Sequence, residues 1–144
     1  MSIQPDFEPA PEEFRAMFTG QALSHLDEIV LNWQTGGHPI SWEKDKASFE
    51  IYLENGNGVL FRLHAPVEGY PACLEVDVAD AFESGIPTDL SRRLWVELAY
   101  IGNITENDYV PIRVSLGKFS RGDRKVFMAY ALTIARQIAR PPEL

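Results

Sequence analysis

Apolar residues recur at three- and four-residue steps through the first part of the chain. Phe14, Met17, Phe18, Ala22, Leu26, Ile29, Val30 and Trp33 form one stripe, which predicts a single helix over 11–34. Pro11 with Glu12 and Glu13 suits its start, where the helix dipole favours negative charge. Gly36 is read as its left-handed cap, and Pro39 blocks continuation. The period then changes from 3.6 to 2. Phe49, Ile51 and Leu53 alternate with polar residues, as do Val59, Phe61 and Leu63. The intervening Asn-Gly-Asn-Gly is a turn signal, so 48–54 and 59–65 read as a hairpin. Ile40–Trp42 could add a short edge strand. Leu74, Val76 and Val78 predict a third strand over 72–78.

The segment that follows fits two periods. Leu90, Leu94, Leu98 and Ile101 fit a helix, while Leu94, Val96, Leu98 and Tyr100 also alternate. Thr88 as N-cap, Asp89 in the first turn and Gly102-Asn103 at the end favour a helix over 89–102. Residues 108–116 predict a strand, with Pro111 confining it to an edge or a bulge. Ser120 and Asp123 have capping-box spacing ahead of a stripe from Val126 to Ile138, which predicts a helix over 121–139. The capping role accounts for Ser120 and Asp123, which leaves the Arg121-Gly122-Asp123 tripeptide a weak match to an adhesion motif. The expected fold is α+β: one domain spanning 1–144, with an antiparallel sheet of about four strands. Helices pack on its core face, and residues 1–10 form a loose arm.

Composition narrows the function classes. The chain has 144 residues, 45% hydrophobic and 24% charged, which suits one globular core. A single cysteine, Cys73, excludes an internal disulfide and argues against a Cys/His zinc cage. The acidic, Pro-rich N-terminus lacks the pattern of a signal peptide, and no apolar run reaches transmembrane length. These features predict a cytoplasmic protein without a membrane partner.

Charge is distributed unevenly. Residues 1–112 carry 19 acidic and 6 basic residues, whereas 113–144 carry 2 acidic and 7 basic. Six carboxylates and no Lys or Arg occur from Leu63 to Ser91. Such a field attracts a basic protein and repels nucleic acid. Glu75, Asp77, Asp80 and Glu83, with Tyr70 as an aromatic anchor, are therefore the expected partner-binding residues.

Chemistry-bearing motifs are sparse. Phosphate loops, dinucleotide fingerprints and nucleophile elbows are absent. His64 alternates onto the side of Arg62. If 72–78 pairs with 59–65, Glu75 and Asp77 join it there, as a candidate metal or acid–base group. Without a diagnostic ligand spacing, no catalytic residue and no cofactor are assigned. The leading expectation is a non-enzymatic protein-binding module with an acidic surface for a basic partner, of the inhibitor, immunity or secretion-chaperone kind. The order helix, three strands, helix, strand, helix resembles that of the small acidic type III secretion chaperones. A small-ligand or metal-dependent enzyme using His64, Glu75 and Asp77 is one alternative. A self-associating component, such as a homodimer, is another.

Overall fold

The computed structural model describes residues 8–105 and 108–140. The fold is α+β, in the order α1 (Glu12–Arg15), α2 (Gly20–Thr35), β1 (Ile40–Trp42), β2 (Lys46–Leu53), β3 (Gly56–His64), β4 (Cys73–Val76), α3 (Val78–Glu83), α4 (Thr88–Ile101), β5 (Ile112–Ser115) and α5 (Arg121–Ile138). A 3-10 turn, Leu116–Lys118, links β5 to α5. The five strands form one antiparallel sheet in the order β1-β2-β3-β4-β5. The expected four-strand sheet thus gains Ile40–Trp42 as its edge.

One sheet face carries the core. Phe49, Phe61, Leu63, Leu74, Val76, Ile112 and Val114 are buried there with Leu26, Ile29 and Trp33 of α2, Leu94 and Leu98 of α4, and Phe127 and Ala131 of α5. Phe49 and Phe61 stack at 4.5 Å between ring centroids, and Trp33 and Phe127 meet Phe61 edge-on. Aromatic pairs in such geometries stabilise beyond their buried area. His25, 1% exposed, ties α2 to the start of α5. Arg124 can only donate, so His25 Nδ1 accepts from its Nη1 at 3.0 Å. His25 Nε2 then carries the proton and donates to the Phe119 carbonyl at 3.1 Å.

Several boundaries differ from the sequence-based expectation. The stripe over 11–34 is not one helix: α1 ends at Arg15, and α2 begins at Gly20 with φ +56°. Side chains rarely adopt that conformation, and the break lets Phe14 and Phe18 both enter the core. The left-handed residue after α2 is Gly37, not Gly36, whose φ is −72°. The hairpin turn is Glu54-Asn55, because Gly56 already pairs with Leu53. A bulge at Phe49/Glu50 then shifts the register and buries Leu60.

The third strand stops at Val76 rather than 78. Asp77 accepts the Asp80 backbone N–H at 3.0 Å and caps α3, a helix missing from the expectation. Pro87, not Thr88, occupies the N-cap of α4, and the helix reading of that segment holds. The strand expected over 108–116 is confined to Ile112–Ser115, since Tyr109 has φ +56°. At the expected loose arm, residues 1–7 lie outside the described residues. Residues 8–10 pack back: Ala10 is buried, and the Glu8 N–H donates to Gln34 Oε1. The capping box of α5 is present in both directions, Asp123 N–H to Ser120 Oγ and Ser120 N–H to Asp123 Oδ2.

Candidate functional site

The site is built on the sheet face opposite the helices. Register places Arg62 opposite Glu75 and His64 opposite Cys73, while Glu75 also lies opposite Arg113 on β5. Cross-strand partners project to the same side. Glu75 therefore sits between two basic residues that come from other parts of the chain. His64 Nε2 lies 3.0 Å from Glu75 Oε1, and Arg113 Nε donates to Glu75 Oε2 at 2.9 Å. Arg62 Nη1 approaches Oε1 at 4.0 Å. Arg62 also donates to Ser48 Oγ and pairs with Asp80 through Nη2 at 2.6 Å.

Glu75 is only 8% exposed. Burial alone would raise its pKa, but the hydrogen bond from His64, aided by Arg113, wins and lowers it from 4.5 to about 2. A carboxylate held this firmly is a poor proton acceptor near neutral pH. Cys73, buried beside it, has its thiol pKa raised chiefly by burial, against a smaller lowering by Arg113. The thiolate is correspondingly disfavoured.

The sequence-predicted residues separate. Glu75 is consumed by its ion pairs, Asp77 caps α3, and Asp80 is bound to Arg62. Glu83 is exposed at the end of α3, near the start of β3, where Ser84 Oγ accepts the Val59 N–H. Tyr70 lies beyond the other end of β3. The five steps from Val59 to His64 span about 16 Å of strand. The acidic stretch is thus partly neutralised from within, and Tyr70 and Glu83 do not share one patch. His64 and Glu75 do meet, but Asp77 is past the strand. Among the described residues no group of three or more His, Cys, Asp or Glu side chains is placed to hold a metal ion.

Beside this network lies a cleft of about 580 Å³. His64, Cys73, Arg113 and Ser115 line it from the strands, with Ala65 just past β3. Asp45 and Lys118 close its two sides, and Val67, Tyr70 and Pro71 form a rim. Two backbone bonds between Val67 and Tyr70 fold that rim into a narrow turn. It presents the Tyr70 ring, 73% exposed. Arg113 uses Nε on Glu75 and leaves its side chain 59% exposed, so its outer nitrogens face the solvent side. Sequence reasoning put Arg62 on the face of His64 without giving it a partner, and missed Arg113, Ser115 and Lys118. The alternation Ile112-Arg113-Val114 was a signal for an outward Arg113, but only the β4–β5 register puts it on Glu75. Compared with family models, curated proteins and solved structures, the chain gives no significant match to any of them.

Proposed function

We propose that the protein is a non-enzymatic recognition module that holds a partner protein at the cleft beside His64. The observation that carries this reading is the cleft itself: a concave surface of about 580 Å³ with an exposed aromatic rim and a cationic side. Tyr70 is the natural anchor, because a tyrosine buries large area while keeping one polar atom for the partner. The groups that a catalytic reading would use are committed elsewhere. Both Glu75 oxygens are engaged, and burial keeps the Cys73 thiol protonated.

A second reading rests on the net charge of −8. Here the acidic exterior, including the exposed Glu83, faces a basic partner of the inhibitor, immunity or secretion-chaperone kind. Affinity purification at low salt with three baits separates the readings. A stoichiometric protein captured by the native chain and by Glu83→Lys, but lost with Tyr70→Ser, supports the cleft. Loss with Glu83→Lys alone supports the acidic exterior. A bound small molecule without a protein overturns both in favour of a ligand-binding or enzymatic role.

A further inference from the structure

The cleft adjoins an open sheet edge, and the hydrogen-bond phase of that edge can be worked out. The Leu116 N–H donates to the Ala72 carbonyl at 2.9 Å. This continues the β4–β5 register, in which Cys73 faces Ser115 and Glu75 faces Arg113. Hydrogen-bonded and non-bonded pairs alternate in an antiparallel ladder. Leu74–Val114 and Val76–Ile112 therefore belong to the bonded class, and Cys73–Ser115 and Glu75–Arg113 to the other. The N–H and C=O of Arg113 and the N–H of Ser115 consequently point away from β4. β5 is the last strand of the sheet. Among the described residues no backbone group outside the sheet is bonded to these three. An edge of this kind accepts an added strand.

The charges beside the edge define what kind of strand. Arg113 and Lys118 line the cleft on the β5 side. Asp45 lines it from the β2 side, three strand spacings or about 14 Å away. An anion therefore belongs against β5. One of the two cations, Arg113, is already shared with Glu75, so a single negative charge fits better than a doubly charged phosphate. Val67, Tyr70 and Pro71 offer an apolar wall next to that position.

We propose that β5 and the cleft together receive the C-terminal end of the partner chain. Its backbone pairs with Arg113 and Ser115. Its terminal carboxylate is held by the Arg113 guanidinium and the Lys118 ammonium, and its last side chain packs against Val67 and Tyr70. Glu75 is a positioning residue in this arrangement, since it fixes Arg113 through Nε and leaves the outer nitrogens to the ligand. The proposal rests on the recognition reading above and specifies the chemistry recognised.

The test is a titration of the native chain followed by amide resonances of Tyr70, Cys73, Ser115 and Lys118. The probes are an N-acetylated Thr-Val-Thr-Val-Leu peptide with a free carboxylate, its C-terminal amide, benzoate and inorganic phosphate. Saturable shifts are expected with the free acid, with the amide and phosphate weaker by about tenfold or more. Arg113→Gln and Lys118→Gln should each bring the acid down toward the amide. Among the described residues Lys118 makes no ion pair, so its variant serves if Arg113→Gln disturbs the sheet.

Equal binding of acid and amide, or no saturable shift at millimolar peptide, overturns the proposal. Benzoate binding as tightly as the peptide assigns the cleft to a free organic acid instead. Concentration-dependent shifts of β5 without ligand assign the edge to a second copy. Partner capture that depends on Tyr70 but ignores both Arg113→Gln and Lys118→Gln overturns the chain-end proposal and leaves the recognition reading standing. Peptide binding with no Tyr70-dependent capture does the reverse.

Discussion

Glu75 and His25 are both buried, and each ties stability to pH in its own window. Glu75 has a folded pKa of about 2, below its ordinary 4.5, because His64 and Arg113 favour the carboxylate. Its contribution is present above the ordinary carboxylate range and is lost as pH falls toward about 2. His25 is lowered by burial first and then by Arg124, and His38 by burial and then by Arg136. The unfolded chain takes up those protons first, so stability falls as pH drops below about 6.5, the value of a free histidine. Urea midpoints should therefore decline in two steps, with His25→Gln flattening part of the upper one and Glu75→Gln the lower. At neutral pH Glu75→Gln should cost about 1–3 kcal/mol, the range for loss of a charge-assisted bond at a buried site. A midpoint that ignores pH between about 7 and about 5 would remove the buried neutral histidines from the account. Alternation alone showed that Glu75 and His64 share a face. It could not show that Glu75 is occupied, because Arg62 and Arg113 lie 13 and 38 positions away in sequence. A stretch without local cations looked like open acid when its counter-charges were on neighbouring strands.

At the scale of elements, the break between α1 and α2 makes a prediction whose sign separates two pictures. In a straight helix over 11–34, Gly20→Ala would stabilise by about 1 kcal/mol through helix propensity. Gly20 instead has φ +56°, and a Cβ there would meet nothing within 4 Å. Only the backbone conformation is at stake, so Gly20→Ala should destabilise by about 1–2 kcal/mol. Thermal or urea unfolding decides it, and a raised midpoint would restore the single helix. The apolar stripe was legible because Phe14, Phe18, Leu26 and Trp33 all do face the core. The break was not, since a positive φ leaves hydrophobic spacing almost unchanged. α3 was missed for a related reason. Val78 continued the alternation of Leu74 and Val76, and hid the cap that Asp77 places on Asp80. Gly58 shows the same limit in the hairpin. It sits within the strand because a Cβ would lie 2.6 Å from Ile86 Cδ1, a contact that depends on where the α3–α4 connection passes.

Over the whole molecule, the charge asymmetry of the chain is used locally rather than as two opposed halves. Among the seven basic residues of 113–144, Arg113 and Lys118 face the cleft, Arg124 is buried against His25, and Arg136 lies by His38. The exterior keeps most of the carboxylates, which is how a net charge of −8 coexists with a cationic site. The two recognition readings then differ in their response to salt. A basic partner is drawn in by the acidic exterior, so its association slows as ionic strength rises. A chain end of net charge −1 is repelled at long range and attracted only within the cleft. Salt screens distances beyond about 10 Å at 0.1 M first, which removes the repulsion before the contact. The association rate of the free-acid peptide should therefore rise between about 10 mM and about 100 mM salt and fall only above that range. Stopped-flow mixing of the peptide with the native chain measures it. The C-terminal amide, which carries no charge, should show a nearly flat dependence. A rate that falls steadily from the lowest salt would mean that the long-range field attracts the carboxylate, and the acidic exterior could not then surround the site.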